Sequence, residues 1–226
     1  MEQVIMVVDP APDVGSDTLF LRQWSVPWHS HIVPIALSLV VAVVFLWGGV
    51  PVASHWALSW RAIENGRVMP LVLHVFAHGG WLHVLLNLSA LLFLSAPLIS
   101  RLGQPPLAWV RYLYMLIGSG ISGGVLFLLV NRDSDASVLG ISGAVFGLVA
   151  ALTRVHPATG SLVSVRSQRT WLLVKFFVQN HLALFLLLAI MAVLSGRWIG
   201  LAWEAHLGGL LFGFFATPLY LERSDK

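Results

Sequence analysis

Residues 131–147 read Asn-Arg-Asp-Ser-Asp-Ala-Ser-Val-Leu-Gly-Ile-Ser-Gly-Ala-Val-Phe-Gly. A polar run, 131–139, leads straight into Gly140-Ile141-Ser142-Gly143 and then into a short stretch of small and apolar residues. Irregular backbone beside so short a helix is costly in lipid, where unpaired N–H and C=O groups find no water. It is tolerated only where protein or a water-filled cavity surrounds it. The stretch therefore predicts a short helix at the centre of a membrane bundle, entered from a wet indentation on one face.

The composition agrees. The chain of 226 residues is 58% hydrophobic and 10% charged, with a mean hydropathy of +0.84. Soluble domains usually carry about a quarter charged residues. The apolar residues come in long blocks, which leave no room for a sizeable soluble domain. A bilayer-spanning helix needs roughly 20 mostly apolar residues. Segments 32–52, 81–99, 107–130, 172–194 and 201–221 meet or approach that length, and 142–151 is shorter. The expected fold is all-α: a polytopic membrane protein, a six-transmembrane-helix bundle with a short central fourth helix. The membrane domain is expected over 31–221, between cytoplasmic tails at 1–30 and 222–226. The acidic residues Glu2, Asp9, Asp13 and Asp17, beside an apolar run of only 4–8, argue against a cleaved signal peptide.

Six spans put both termini on one side. With the N-terminus inside, the inner segments hold Arg22, Arg101, Arg111, Arg154, Arg166, Arg169, Lys175, Arg223 and Lys226. The outer segments hold Arg61, Arg67, Arg132 and Arg197. The excess of basic residues inside predicts cytoplasmic termini. The same bias accounts for the pI near 9.8. The basic residues are scattered singly, so no nucleic-acid surface is expected. Loop 52–73, with Trp56 and Trp60, is expected to lie in the membrane–water interface, which tryptophan favours. The chain has no cysteine, which excludes disulfides, thiolate metal sites and a cysteine nucleophile.

The carboxylates lie outside the spans or at their edges, so an aspartyl mechanism within the membrane has no pair to use. The helical zinc motif His-Glu-x-x-His is also missing. The polar residues in the spans are mostly Ser, His and Asn. At the second span stand His74, His78, His83 and Asn87. His74 and His78 are four apart, as are His83 and Asn87, so each pair can share a helix face. For His74 and His78 interhelical hydrogen bonding is the better reading, although histidines at membrane depth default to functional roles.

Ser142 is flanked by glycines at a loop-to-helix junction, where the first backbone N–H groups of the helix are unpaired. A helix N-terminus favours developing negative charge, as on a tetrahedral oxyanion. Gly-x-Ser-Gly alone reads better as close helix packing. His206, in Ala205-His206-Leu207-Gly208-Gly209, shifts the balance. The fourth and sixth spans both start at the outer face, so Ser142 and His206 lie at similar depth. Gly143 with Gly147, and Gly209 with Gly213, have the spacing that lets two helix backbones approach closely. Close approach is what a Ser–His hydrogen bond requires, with His206 as general base. Glu204 is read as an interfacial loop residue rather than an orienting acid.

These residues together resemble the rhomboid family of intramembrane serine proteases, of the bacterial six-span type. The resemblance covers roughly residues 67–217. It rests on His74-x3-His78-x4-His83-x3-Asn87, on Arg101-Leu102-Gly103, on 140–147 and on Ala205-His206-x2-Gly209-x3-Gly213. It implies a Ser142–His206 catalytic dyad without a third acid. It implies an oxyanion hole from the His83 and Asn87 side chains and the Ser142 backbone N–H. It places Phe146 as an aromatic against His206, with Gly140, Gly143 and Gly209 in support. The implied reaction is hydrolysis of a peptide bond in or near the transmembrane segment of a protein substrate, with no metal, nucleotide or other cofactor. The partners implied are transmembrane substrates and the lipid bilayer; oligomeric state is left open. A bacterial inner membrane is the expected home. Relatives often carry Trp-Arg a few residues before the first histidine; here Trp60-Arg61 lies further upstream. Two other classes compete: a catalytically inactive rhomboid-like module that grips transmembrane helices, and a small transporter. A transporter would show ionisable groups at mid-membrane or repeated halves, and the sequence displays neither.

Overall fold

The computed structural model describes residues 26–157, 159–196 and 200–221. Most of the tail expected at 1–30, and all of that at 222–226, lies outside these residues. The described chain is helical: α1 Ile32–Trp56, α2 Trp60–Glu64, α3 Pro70–Leu73, α4 Trp81–Ile99, α5 Leu107–Val130, α6 Ser142–Arg154, α7 Gln168–Ser195 and α8 Trp203–Tyr220. Short 3-10 turns precede α1 (Trp28–His31) and follow α3 (His74–Phe76). Among the described residues, four segments are long and apolar enough to cross a membrane: Trp28–Gly49, Trp81–Ile99, Leu107–Val130 and Gln168–Leu194. The described chain is an all-α bundle, with α6 as its short helix and α8 beside it.

The ends of α4 and α5 match the expected spans because breakers stand in front of them: Gly79-Gly80 before α4 and Pro105-Pro106 before α5. Elsewhere the structure corrects the boundaries. Segment 52–73 is not a plain interfacial loop. Helix α1 bends at Gly49, whose φ is 48°, two residues before Pro51, and continues to Trp56; α2 and α3 follow. Glycine adopts that φ without the Cβ penalty that other residues meet. Helix α6 runs past 151 to Arg154. Its last turn is held by Thr153, whose Oγ1 donates to Val149 O, and by Arg169, which donates to the carbonyls of Leu152 and Thr153. Basic donors at a helix C-terminus satisfy carbonyls that the helix leaves unpaired. Helix α7 starts at Gln168 rather than 172 because Ser167 caps it, accepting from the Thr170 N–H. Helix α8 begins at Trp203, two residues later than expected.

Helices α5, α6 and α8 pack most extensively on one another. The reason is local. A Cβ on Gly123 would stand 2.5 Å from Ala205 O, and one on Gly208 2.6 Å from Ser122 O. A Cβ on Gly209 or Gly213 would land on the carbonyl oxygen of Gly143 or Gly147. The three backbones thus touch without side chains between them, the arrangement that small residues permit in membranes. Ser122 Oγ adds a hydrogen bond of 3.1 Å to Gly208 O. Around this seam, Leu148, Ala150, Tyr112 and Met115 are fully buried. In contrast, α7 meets the bundle mainly at α6, and only 6% of its apolar stretch is buried.

Candidate active site

Ser142 is the first residue of α6, and its N-cap, Ile141, supplies no side-chain hydrogen bond. The first N–H groups of α6 are thus left uncapped, as an anion-binding helix end requires. The approach to Ser142 is fixed from three sides. Gly140 N donates to His74 O at 2.8 Å. Leu58 and Val138 form an antiparallel bridge with two bonds of 2.9 Å. Trp60 Nε1 donates to Leu128 O, and Arg61 pairs with Asp135 at 2.7 Å. That ion pair is largely exposed, so it orients the loop more than it stabilises it. Arg61 thus orients the polar loop that leads to Ser142, while Trp60 ties α2 to the end of α5.

His206 lies in the first turns of α8 and is buried. Its Nε2 is 2.8 Å from Ser142 Oγ. Ser142 is half-buried, so its hydroxyl keeps some access. Phe146, one turn along α6, stacks on the imidazole with centroids 4.5 Å apart and planes at 28°. Gly143 and Gly209 allow the approach, as the contact at their backbones shows. Gly140 has φ 112°, in the left-handed region that favours glycine, and a Cβ there would stand 2.7 Å from the His83 ring. His83 therefore packs against the turn that delivers Ser142. Asn87 is buried one turn further along α4 and donates from Nδ2 to His83 O at 3.0 Å. An amide nitrogen carries two hydrogens, and this bond uses one.

The expected pairing of His74 with His78 on one helix face is corrected. His74 sits in a 3-10 turn, Ala77 is extended, and α4 starts only after Gly79-Gly80. His74 Nδ1 bonds Pro70 O at 2.8 Å, while its carbonyl holds Gly140. His78 faces His83, with ring centroids 5.0 Å apart. Burial, and then the neighbouring His83, pushes the His78 imidazole down to about 4, so it is neutral at neutral pH. Glu204 is also corrected. It is a buried residue in the first turn of α8, accepting from Asn131 Nδ2 at 3.1 Å. A carboxylate at a helix N-terminus gains from the helix dipole, which offsets part of its burial.

A cavity of about 660 Å³ lies beside the polar loop. It opens between the bend of α1 and the start of α4, lined by Phe45, Ala53, Arg67, His78, Trp81 and Leu139 among others. It reaches the loop before Ser142 rather than the serine itself.

One residue of the site was missed by sequence reasoning. His181, in α7, is buried and brings Nε2 to 2.9 Å from His206 Nδ1. Its own Nδ1 is 2.8 Å from Phe177 O. A lone histidine in an apolar helix carries no motif; only its cost at membrane depth marks it. The contribution of Ser119, Ser122 and Gly123 in α5 was also missed, although 118–124 reads Gly-Ser-Gly-Ile-Ser-Gly-Gly.

Known proteins resemble this chain. It is 25% identical to RHOMBOID-like protein 5 of Arabidopsis thaliana, over 74% of this chain and 48% of that one. It is 31% identical to Rhomboid-like protease 5 of Toxoplasma gondii, over 72% of this chain and 18% of that one. It is 26% identical to Inactive RHOMBOID-like protein 8 of Arabidopsis thaliana, over 57% of this chain and 35% of that one. The chain spans less than two thirds of the length of each. The Rhomboid domain model matches residues 65–223, a range that holds His83, Asn87, Ser142 and His206 together with the α5–α6–α8 seam, and on that match the chain belongs to the rhomboid family.

Proposed function

We propose that the chain is an intramembrane serine endopeptidase that cuts transmembrane segments of protein substrates near the outer face. The observation that carries the reading is the 2.8 Å contact between Ser142 Oγ and His206 Nε2 at the uncapped start of α6. In this mechanism Ser142 attacks the scissile carbonyl while its proton passes to His206 Nε2. His206 returns that proton to the leaving amine, and an acyl-enzyme forms at Ser142. Water then repeats the exchange and frees the serine. The oxyanion is held by the Ser142 backbone N–H, with His83 and Asn87 as side-chain donors. No acid takes part, and the chemistry requires no cofactor.

A fluorophosphonate tests the nucleophile directly. Reaction at Ser142 in proteoliposomes, with cleavage of a labelled transmembrane substrate, is the expected result. Neither labelling nor cleavage would favour an inactive module that grips transmembrane helices, a reading supported by the 26% identity to a relative named as inactive.

Two further outcomes are expected. Asn87→Ala lowers kcat by about 10²- to 10³-fold, the cost of losing one oxyanion donor. Full activity in that variant would remove Asn87 from the hole. The distribution of basic residues supports cytoplasmic termini and an outward-facing 131–139 loop. Because the chain has no cysteine, Asp133→Cys in intact cells reports the side cleanly. Labelling by a membrane-impermeant maleimide is expected; labelling only after lysis would reverse the orientation.

A further inference from the structure

We infer that His181 is a positioning residue that completes a Ser142–His206–His181 chain of hydrogen bonds. The inference rests on the proposed nucleophile and base, but the observations behind it are separate. His181 Nδ1 lies 2.8 Å from Phe177 O. A carbonyl only accepts, so that nitrogen carries the proton and Nε2 is the acceptor. Nε2 lies 2.9 Å from His206 Nδ1, which must then be the donor. That leaves His206 Nε2 bare, facing the Ser142 hydroxyl at 2.8 Å. One backbone carbonyl in α7 thus sets the tautomers of two histidines and readies the second as a base. A histidine's free nitrogen is commonly dictated by the bond its other nitrogen makes.

The role resembles that of the acid in a serine–histidine–acid triad, with a neutral group in its place. A carboxylate buried at this depth would cost far more than an imidazole that stays neutral. When His206 takes the serine proton at Nε2, its Nδ1–H still points at the His181 lone pair, which stabilises the imidazolium. His181 keeps its own proton throughout, and the serine proton goes on to the leaving amine. The rings are also held in place: Phe146 meets His206 at 4.5 Å, His181 at 5.2 Å and Phe177 at 5.6 Å. Helix α7 is held to α6 by Arg169 and by the buried Leu173, and the bond to His206 adds a polar tie at the site itself.

The test compares wild type, His181→Leu and His181→Gln in proteoliposomes, with Ser142→Ala as the blank. Leucine fills the space without an acceptor, and glutamine returns an acceptor at the Nε2 position. His181→Leu is expected to lower kcat by about 10²-fold, the scale of a misplaced catalytic group, with KM unchanged. His181→Gln is expected to recover most of the loss. Full activity in the leucine variant, or equal losses in both, would overturn the role. Nitrogen-15 NMR of histidine-labelled protein needs no turnover and stands apart from the protease reading. It is expected to show His206 protonated at Nδ1 and to lose that signature in His181→Leu. Protonation of His206 at Nε2 instead would overturn the inference even in a protein that cleaves.

Discussion

Ser142→Ala is expected to abolish cleavage and leave the bundle folded. Removing the serine or histidine of a cooperating set costs about 10⁶-fold in kcat, since neither works without the other. The structural cost is small by comparison. Among the described residues Ser142 Oγ makes one hydrogen bond, to His206 Nε2, and an unpaired buried acceptor costs about 1–3 kcal/mol. The α5–α6–α8 seam does not involve the hydroxyl. The measurement is cleavage of a labelled transmembrane substrate beside thermal unfolding in detergent. A cleaving Ser142→Ala protein would remove Ser142 as nucleophile. A protein that neither cleaves nor folds would say nothing of chemistry, so the unfolding curve is part of the result. His206→Ala should be as inactive, by the same cooperation.

Gly209→Ala is expected to damage both stability and activity, although in an open helix the same change is favourable. Glycine to alanine gains about 0.4–1 kcal/mol where the backbone has room. Here the new methyl would land on the Gly143 carbonyl, 2.6 Å from its carbon and 3.2 Å from the Gly143 Cα. A methyl has no rotamer to turn away, and the obstacle is backbone, so α6 and α8 must part. Overpacking of this kind costs about 1–3 kcal/mol or more, which outweighs the gain. His206 stands one turn earlier on α8, so parting the helices also stretches the 2.8 Å contact to Ser142. A shift of about 1 Å at a catalytic group costs on the order of 10²-fold. Gly80→Ala is the control, because a Cβ there meets nothing within 4 Å. Equal unfolding temperatures and cleavage rates for the two variants would refute the seam.

Several features were open to sequence reasoning because they are local. Apolar runs bounded by Gly79-Gly80 and Pro105-Pro106 placed α4 and α5, since breakers act on their immediate neighbours. Ser142 at the head of a glycine-rich helix, and the matched spacing of Gly143, Gly147, Gly209 and Gly213, pointed to two helices in close contact. The bend of α1 at Gly49 and the continuation to Trp56 were less legible, because Gly48-Gly49 and Pro51 read locally as breakers that end a helix, yet the helix resumes past them.

The sequence by itself determined the all-α membrane class and the short helix that begins at Ser142, and of the five longer segments that it marked, four are long and apolar enough to span among the described residues. These follow from composition, run length and turn chemistry, which neighbouring residues settle among themselves. Only the tertiary structure decided which groups meet. His181 stands 25 residues before His206 in the chain, on another helix, and nothing beside it in the sequence marks it as a partner. His74 and His78 look like one helical face, yet the 3-10 turn and the extended Ala77 separate them. Glu204 looks like a loop residue, yet Asn131 and the α8 N-terminus let it be buried. Each outcome depends on groups distant in sequence, because a buried polar atom takes whatever partner packing brings within reach.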